Sequence, residues 1–333
     1  MRRLRPPPMN LPRTLELAPL GGDLDRVERA LEESVRHRDR FLGEVASHLV
    51  GAGGKRLRPA LTLCAAYASR DGSHPVPADV VTGAVAVELV HLGSLYHDDV
   101  IDEAETRRGV PSVNARWSNI VAILAGDFLL ARASELAASL GADVAALLAS
   151  TIGELCRGQV LELQHLFDVE RSEESYFAAI EGKTASLMAT ACRIGGMVSG
   201  ADDDALDSLG EFGRHLGLCF QIVDDVLDLT ATEEALGKPS GQDLLEGVYT
   251  LPVIVGLRSS PTLRDHLGRP IPPNRLDEIR RLATSDGAIE AAYDTARSHA
   301  KAADEALASS PGLDPEVCTA LRRLVDGLVG RSS

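Results

Sequence analysis

The sequence predicts an all-α protein built as a single large helical bundle. Three observations predict it. Apolar residues recur at helical spacing through most of the chain, the gaps between these runs carry Gly, Pro, Asp or Ser, and no stretch shows sustained strand alternation flanked by hairpin turns. Residues 1–20 are rich in Arg and Pro and read as a flexible arm, which leaves 21–333 as one all-helical domain. Within it, 24–50 alternates charged and apolar residues at helical spacing. The run 58–69 follows a Gly-Gly turn and has Pro59 in its first turn, where proline is tolerated. The run 78–102 is long and mostly apolar, the pattern of a buried helix. Further helical runs span 120–140, 144–167, 173–198, 203–229, 251–257, 274–308 and 315–329. No low-complexity linker divides them. Aromatic residues are only 4%, so the core must be aliphatic.

Composition narrows the function classes. With 44% hydrophobic and 25% charged residues among 333, the chain is not disordered as a whole. Lys+Arg 34 against Asp+Glu 49 gives a net charge of −15, which argues against nucleic acid or an anionic membrane as general partner. An anionic ligand would need local cations or metal ions to overcome that field. The five cysteines (Cys64, Cys156, Cys192, Cys219 and Cys318) lack metal-ligand spacing and read as buried structural thiols in a reducing, cytoplasmic setting. No run reads as a membrane span or signal peptide, so no stable membrane insertion is expected.

One internal echo carries chemistry. His97-Asp98-Asp99-Val100-Ile101-Asp102 resembles Val223-Asp224-Asp225-Val226-Leu227-Asp228, and both copies end long apolar runs. On a helix, positions i and i+4 share a face, so Asp98 points with Asp102 and Asp224 with Asp228. Like charges at that spacing repel, and carboxylates at a helix C-terminus oppose the macrodipole. A solvated acidic helix end would explain one such cluster. Two at the ends of buried helices call for hard divalent cations, and Mg²⁺ takes one or two carboxylates plus substrate phosphates. Cations suited to phosphates follow in order. Gly53-Gly54-Lys55-Arg56-Leu57-Arg58-Pro59 is a Gly turn at a helix start, which favours anions. Arg107 and Arg108 follow the first cluster, Lys183 sits in an apolar helix, and Lys238 lies in a loop after the second cluster. A lysine buried in an apolar helix is costly unless paired, so Lys183 is the most informative of these.

In this arrangement the chain resembles the trans-isoprenyl diphosphate synthases, or polyprenyl synthetases, of the long-chain type. The resemblance runs from Gly53 to Ile254 through GGKRLRP, ELVHLGSLYHDDVIDEAETRRG from Glu88, Gly182-Lys183-Thr184, Phe220-Gln221 with DDVLD, and GKPSGQD from Gly237. It implies an isoprenoid-synthase bundle with a central cavity. It also implies head-to-tail joining of isopentenyl diphosphate to an allylic diphosphate such as farnesyl or geranylgeranyl diphosphate. The implied enzyme is a homodimer with three Mg²⁺ per active site. By motif, Asp98, Asp99 and Asp102 hold metal on the allylic diphosphate, with Asp224 and Asp228 opposite and Asp225 behind them. Arg107, Lys183 and Lys238 meet the allylic diphosphate. Lys55, Arg58, His91 and Arg108 meet the diphosphate of isopentenyl diphosphate. The carbonyls of Lys183 and Thr184 and the side chain of Gln221 face the allylic cation. A lone His on an apolar helix is ordinarily a satisfied core residue, and only the motif gives His91 a ligand role. His97 stands behind the first cluster, while Gln159 and Glu162 face the same cavity. Trp117 is structural.

Two departures stand out. Many short-chain members carry Lys where this chain has Val248, and the basic tail they end in is absent from Gly330-Arg331-Ser332-Ser333. Ser94 and Gly93 also occupy the positions where short-chain members place a bulky aromatic that floors the product pocket. A tail running from the metals past Gly93, Val90, Ala86 and Gly83 has about fifteen residues of helix, ~22 Å, beside it. That predicts a product longer than geranylgeranyl, of the quinone side-chain kind, unless these small residues merely allow close helix packing or Phe128 on the facing helix walls the path. Competing readings are a short-chain farnesyl or geranylgeranyl diphosphate synthase, a cyclase or head-to-head synthase, and a non-catalytic subunit of a heteromeric synthase. The cations Lys55, Arg58 and Arg108 speak against the second. The complete aspartate clusters speak against the third.

Overall fold

Amphipathic runs become helices that wrap one long apolar helix, in a computed structural model that describes residues 11–70, 72–230 and 240–330. The first helices are α1 (Leu11–Leu15), α2 (Leu20–Ser34), α3 (Arg40–Gly51), α4 (Leu57–Ala68) and α5 (Ala78–Ile101). A two-residue hairpin, β1 (Thr106–Arg107) and β2 (Val110–Pro111), leads to α6 (Val113–Arg116), α7 (Asn119–Ser139) and α8 (Ala142–Gln164). Then come α9 (Glu173–Ile180), a π-turn (Glu181–Ala185), α10 (Ser186–Met197) and α11 (Asp203–Thr230). The chain closes with α12 (Gln242–Glu246), α13 (Leu251–Ser259), α14 (Pro261–His266), α15 (Leu276–Ala283), α16 (Ala288–Ala308) and α17 (Pro315–Val329).

Local chemistry sets the breaks that periodicity missed. The run 24–50 splits because Asp39 caps α3, accepting the Leu42 N–H at 2.9 Å. The run 274–308 splits where Asp286 and Gly287 both take positive φ. The run 173–198 continues as helix but is widened by the π-turn. No strand was expected; the hairpin turns tightly because Arg108 (φ 54°) and Gly109 (φ 79°) are both left-handed.

Helix α5 is the axis. It is buried from Gly83 to Val90 and packs against α2, α4, α7 and α10. Helix α11 packs against α10 and α16. Backbones touch where glycines allow it. A Cβ at Gly195 would sit 2.1 Å from the Thr62 carbonyl oxygen on α4. Gly195→Ala is therefore expected to lower stability by ~1–3 kcal/mol, seen as a lower denaturation midpoint with an unchanged m-value.

Three expectations need correction. Leu11, Leu15, Leu17 and Leu20 are buried, and α1 packs on α17. Four leucines among the prolines give residues 11–20 an apolar face that docks rather than forming an arm; residues 1–10 lie outside the described residues. Helices α5 and α8 are each long and apolar enough to cross a membrane by length and composition, α5 mostly buried and α8 mostly not. Cys156 is exposed, while the other four cysteines are buried, and all five are free thiols. Trp117 packs edge-on against Phe41 and His48 under the Arg116 guanidinium.

Candidate active site

The last turn of α5 divides its aspartates. Asp98 and Asp102 lie a full turn apart on one face, and each is a neighbour of Lys183. Burial, with the Asp102 charge added, pushes the Asp98 carboxyl up to about 6 against the pull of Lys183. Asp99, one position on, lies about 100° round the helix. It is fully buried and accepts the Arg107 Nε–H at 2.6 Å, so the hairpin closes over it. Asp99 and Arg107 hold each other here, while the second Asp99 oxygen is buried with no hydrogen-bond partner. The structural reason is the hairpin, which carries Arg107 back to the buried side of α5.

The second cluster ends α11 in the same divided way. Asp224 is exposed, whereas Asp225 and Asp228 are buried. Asp225 accepts the Tyr176 hydroxyl at 2.6 Å and the Gln221 side-chain amide at 2.7 Å. The Gln221 carbonyl oxygen in turn accepts the Thr184 hydroxyl at 2.8 Å. One chain of bonds thus fixes the amide orientation of Gln221 against the π-turn. Asp228 accepts the Asp243 backbone N–H at 3.3 Å and so anchors α12. Lys238 lies outside the described residues.

Lys183 and Thr184 stand on the π-turn, which reaches α8 because neither Gly158 nor Gly182 carries a side chain. A Cβ at Gly158 would be 2.4 Å from the Lys183 nitrogen. The Lys183 ammonium donates to Glu162 at 2.6 Å. Burial alone would lower its pKa, but Glu162 and Asp98 outweigh burial and hold it above its ordinary value. These groups line a cavity of about 360 Å³ with Asp102, Gln159, Arg171, Tyr176, Asp225, Asp243, Glu246, Val248 and Thr250. Burial raises the Glu246 carboxyl, and Asp102 and Asp228 add to it, so the two acidic helix ends face each other across this space.

A separate cationic nest forms where the Gly53–Pro59 turn meets α5 and the hairpin. Arg56 is buried and bonds Glu28 and, at 2.9 Å, Glu88. Arg58 and Arg108 stand near Glu88, and burial lowers both guanidinium pKa values. Arg108 donates to the Gly53 carbonyl. His91 is pushed well below its ordinary range by burial and by Arg58 and Arg108, which keeps it neutral. Lys55 is exposed at the rim.

Residues 39–283 match the family model described as polyprenyl synthetase, well over half of the chain. The chain belongs to the polyprenyl synthetase family. This is a family of trans-prenyltransferase enzymes that use a divalent metal. The chain is 39% identical to the nonaprenyl diphosphate synthase of Mycobacterium tuberculosis over 92% of its own length and 91% of that protein. It is 45% identical to heptaprenyl diphosphate synthase component 2 of Geobacillus stearothermophilus, over 72% and 73% of the two chains. Among solved structures, the polyprenyl synthase of Caulobacter crescentus in complex with calcium and isoprenyl diphosphate superposes with a TM-score of 0.88. It is 33% identical, over 97% of this chain and 98% of that one.

The residues suit a hard divalent cation. Among the described residues no three His, Cys, Asp or Glu side chains close into a ready-made metal cage. The acidic helix ends offer oxygen donors only, on facing walls, as suits an ion that takes one or two carboxylates and completes its shell with phosphate and water.

Helices pack closely along the expected product path. A Cβ at Gly93 would meet the Gly126 carbonyl oxygen at 3.1 Å and Leu130 at 3.2 Å, and one at Gly83 would meet Ile194 at 2.7 Å. Val90 and Ala86 are fully buried, and the Ser94 hydroxyl turns back to the His91 carbonyl. These small residues thus sit at close contacts of α5 with α7 and α10. Phe128 stacks edge-on with His37 and so faces the segment between α2 and α3. His97 faces Asp127 and the Ile123 carbonyl on α7, not the cavity. Sequence reasoning missed Glu88, although an acid inside an apolar helix was a legible signal. It missed Tyr176, Arg171 and Glu246 because no spacing links them to the aspartates.

Proposed function

We propose that this chain is a Mg²⁺-dependent trans-polyprenyl diphosphate synthase that adds isopentenyl diphosphate head to tail to an allylic diphosphate, giving products longer than C20. The observation that carries the proposal is the pairing of two sites. A cavity holds Lys183 between two facing acidic helix ends, and a separate nest of Arg58, Arg108 and neutral His91 rests on Glu88. A cyclase or head-to-head synthase has no use for the second. Bound Mg²⁺ supplies neutralisation of the charge that develops on the departing diphosphate. Asp98, Asp102, Asp224 and Asp228 are assigned to hold it. Lys183 holds the allylic diphosphate. Lys55, Arg58, Arg108 and His91 hold the second diphosphate. The Gln221 amide, fixed by Asp225 and Thr184, presents its dipole to the allylic cation, and no side chain is assigned the final proton.

Support for long products comes from the nonaprenyl and heptaprenyl relatives. A homodimer goes with the proposal: α7 exposes Ile120 (71%), Ile123 and Leu124 (61%), and α8 exposes Val160, an apolar face suited to a second copy. Light scattering at micromolar concentration should give twice the chain mass. A soluble, cytoplasmic placement also belongs to the proposal.

Purified protein with Mg²⁺, labelled isopentenyl diphosphate and a series of allylic primers should yield products longer than C20. EDTA should abolish incorporation and Mg²⁺ restore it. No incorporation with any primer would sink the proposal, and termination at farnesyl or geranylgeranyl length would overturn the product class. Arg58→Ala should raise the KM for isopentenyl diphosphate roughly tenfold or more, the size of a charge-assisted bond, and leave the allylic KM unchanged. Lys183→Ala should act on kcat or allylic binding.

A further inference from the structure

Among the described residues that line the active-site cavity, Arg171 is the one cation with no role so far. It precedes Ser172, the cap of α9, and its side chain runs beneath the segment that enters α13. The residue is 5% exposed. Its Nη1 donates to the Tyr249 carbonyl at 3.0 Å, and its Cζ lies 5.7 Å from the centre of the Tyr176 ring. Nε and Nη2, both buried, have no hydrogen-bond partner. Those two atoms form one edge of the guanidinium, where the N–H bonds run parallel and match two oxygens of a phosphate or carboxylate. Leaving such an edge unmet costs several kcal/mol in a folded protein. Beside it, the Thr250 hydroxyl is also buried without a partner and lines the same cavity. Glu162 and Asp225, the acids nearest in effect, are already bonded to Lys183 and to Tyr176 and Gln221.

We infer that Arg171 is a further diphosphate-binding residue: its open edge grips the phosphate oxygens of the allylic substrate and of the pyrophosphate it releases, with the Thr250 hydroxyl donating beside it. This deepens the proposed function and rests on it. The position also accounts for Val248, an apolar residue on the same wall. A cation from the loop after α8 supplies the charge that the 246–250 segment does not. The Tyr249 bond holds Nη1 on a backbone carbonyl and so fixes the guanidinium, with its Nε–Nη2 edge left for a ligand.

The test is calorimetric binding of inorganic pyrophosphate with Mg²⁺, alongside KM values for both substrates. Arg171→Met should weaken pyrophosphate binding roughly ten- to a hundredfold, the size of a charge-assisted pair. It should raise the allylic KM and leave the isopentenyl diphosphate KM unmoved. Adding Val248→Lys to that variant should recover most of the affinity. That lysine reaches the cavity from another backbone position and cannot restore the Tyr249 bond. Binding within threefold of the parent would overturn the inference. So would a loss that Val248→Lys fails to recover, which would make Arg171 a loop tether only. If Arg171→Met does not fold, Arg171→Lys decides. One ammonium cannot present two parallel N–H bonds, so binding should weaken severalfold at an unchanged melting temperature, and unchanged binding would overturn the inference. A parent protein that binds no pyrophosphate with Mg²⁺ would overturn the proposed function itself, separately from Arg171.

Discussion

Asp98→Ala should lower kcat by a hundred- to a thousandfold or more, the scale seen when one group stabilising developing charge is removed, while circular dichroism stays that of the parent. The physical reason lies in the price of the carboxylate. Burial and Asp102 raise the Asp98 pKa to about 6, so the substrate-free protein carries an ionised group its surroundings disfavour. The folded pKa is raised above the unfolded one. The stability this group contributes is therefore present below about pH 4 and is lost as pH rises towards 6. At pH 7 without metal, Asp98→Ala should melt no lower than the parent, and the pH dependence between 4 and 6 should flatten. Activity lost with stability kept is the signature of a site residue. A variant that keeps parental turnover, or that melts well below the parent, would place Asp98 in the core instead.

The second large effect is on stability. Arg56→Ala should cost ~3–5 kcal/mol, because it strands Glu88, a carboxylate with 2% of its side chain exposed, in the interior. Arg56 sits at φ 50° as the residue before α4 and ties α2, through Glu28, to α5, through Glu88. Denaturant titration should show a lower midpoint with the same m-value. Arg56→Met with Glu88→Leu should recover much of the loss, since an apolar pair of similar size replaces a buried ion pair at little cost. Lys55→Ala, next door but exposed, should leave stability within about 0.5 kcal/mol of the parent. Arg56→Ala within 1 kcal/mol of the parent would show that Arg58 and Arg108 suffice to balance Glu88.

Helical periodicity over most of the chain, the repeated aspartate cluster and the order of the cations were legible in the sequence, because each depends only on spacing along one helix or on residue type. Spacing put Asp98 with Asp102, and the geometry of α5 keeps them so. Three things depended on which surfaces meet, and no spacing encodes that. Asp99 pairs with Arg107 because the 106–111 hairpin returns Arg107 to the buried side of α5. That Gly93 lies close against Gly126 and Leu130 of α7 is another, because a missing side chain in sequence does not say what stands next to it. Arg171, set among acidic residues in sequence, carries no spacing signal, and only the folded loop after α8 brings it beneath Tyr249. The helical class and the paired acidic helix ends follow from local periodicity, which the chain carries residue by residue. The tertiary structure alone decided which carboxylates face the cavity, which glycines are contacts and which cation is left with an open edge, since these follow from packing between residues far apart in the chain.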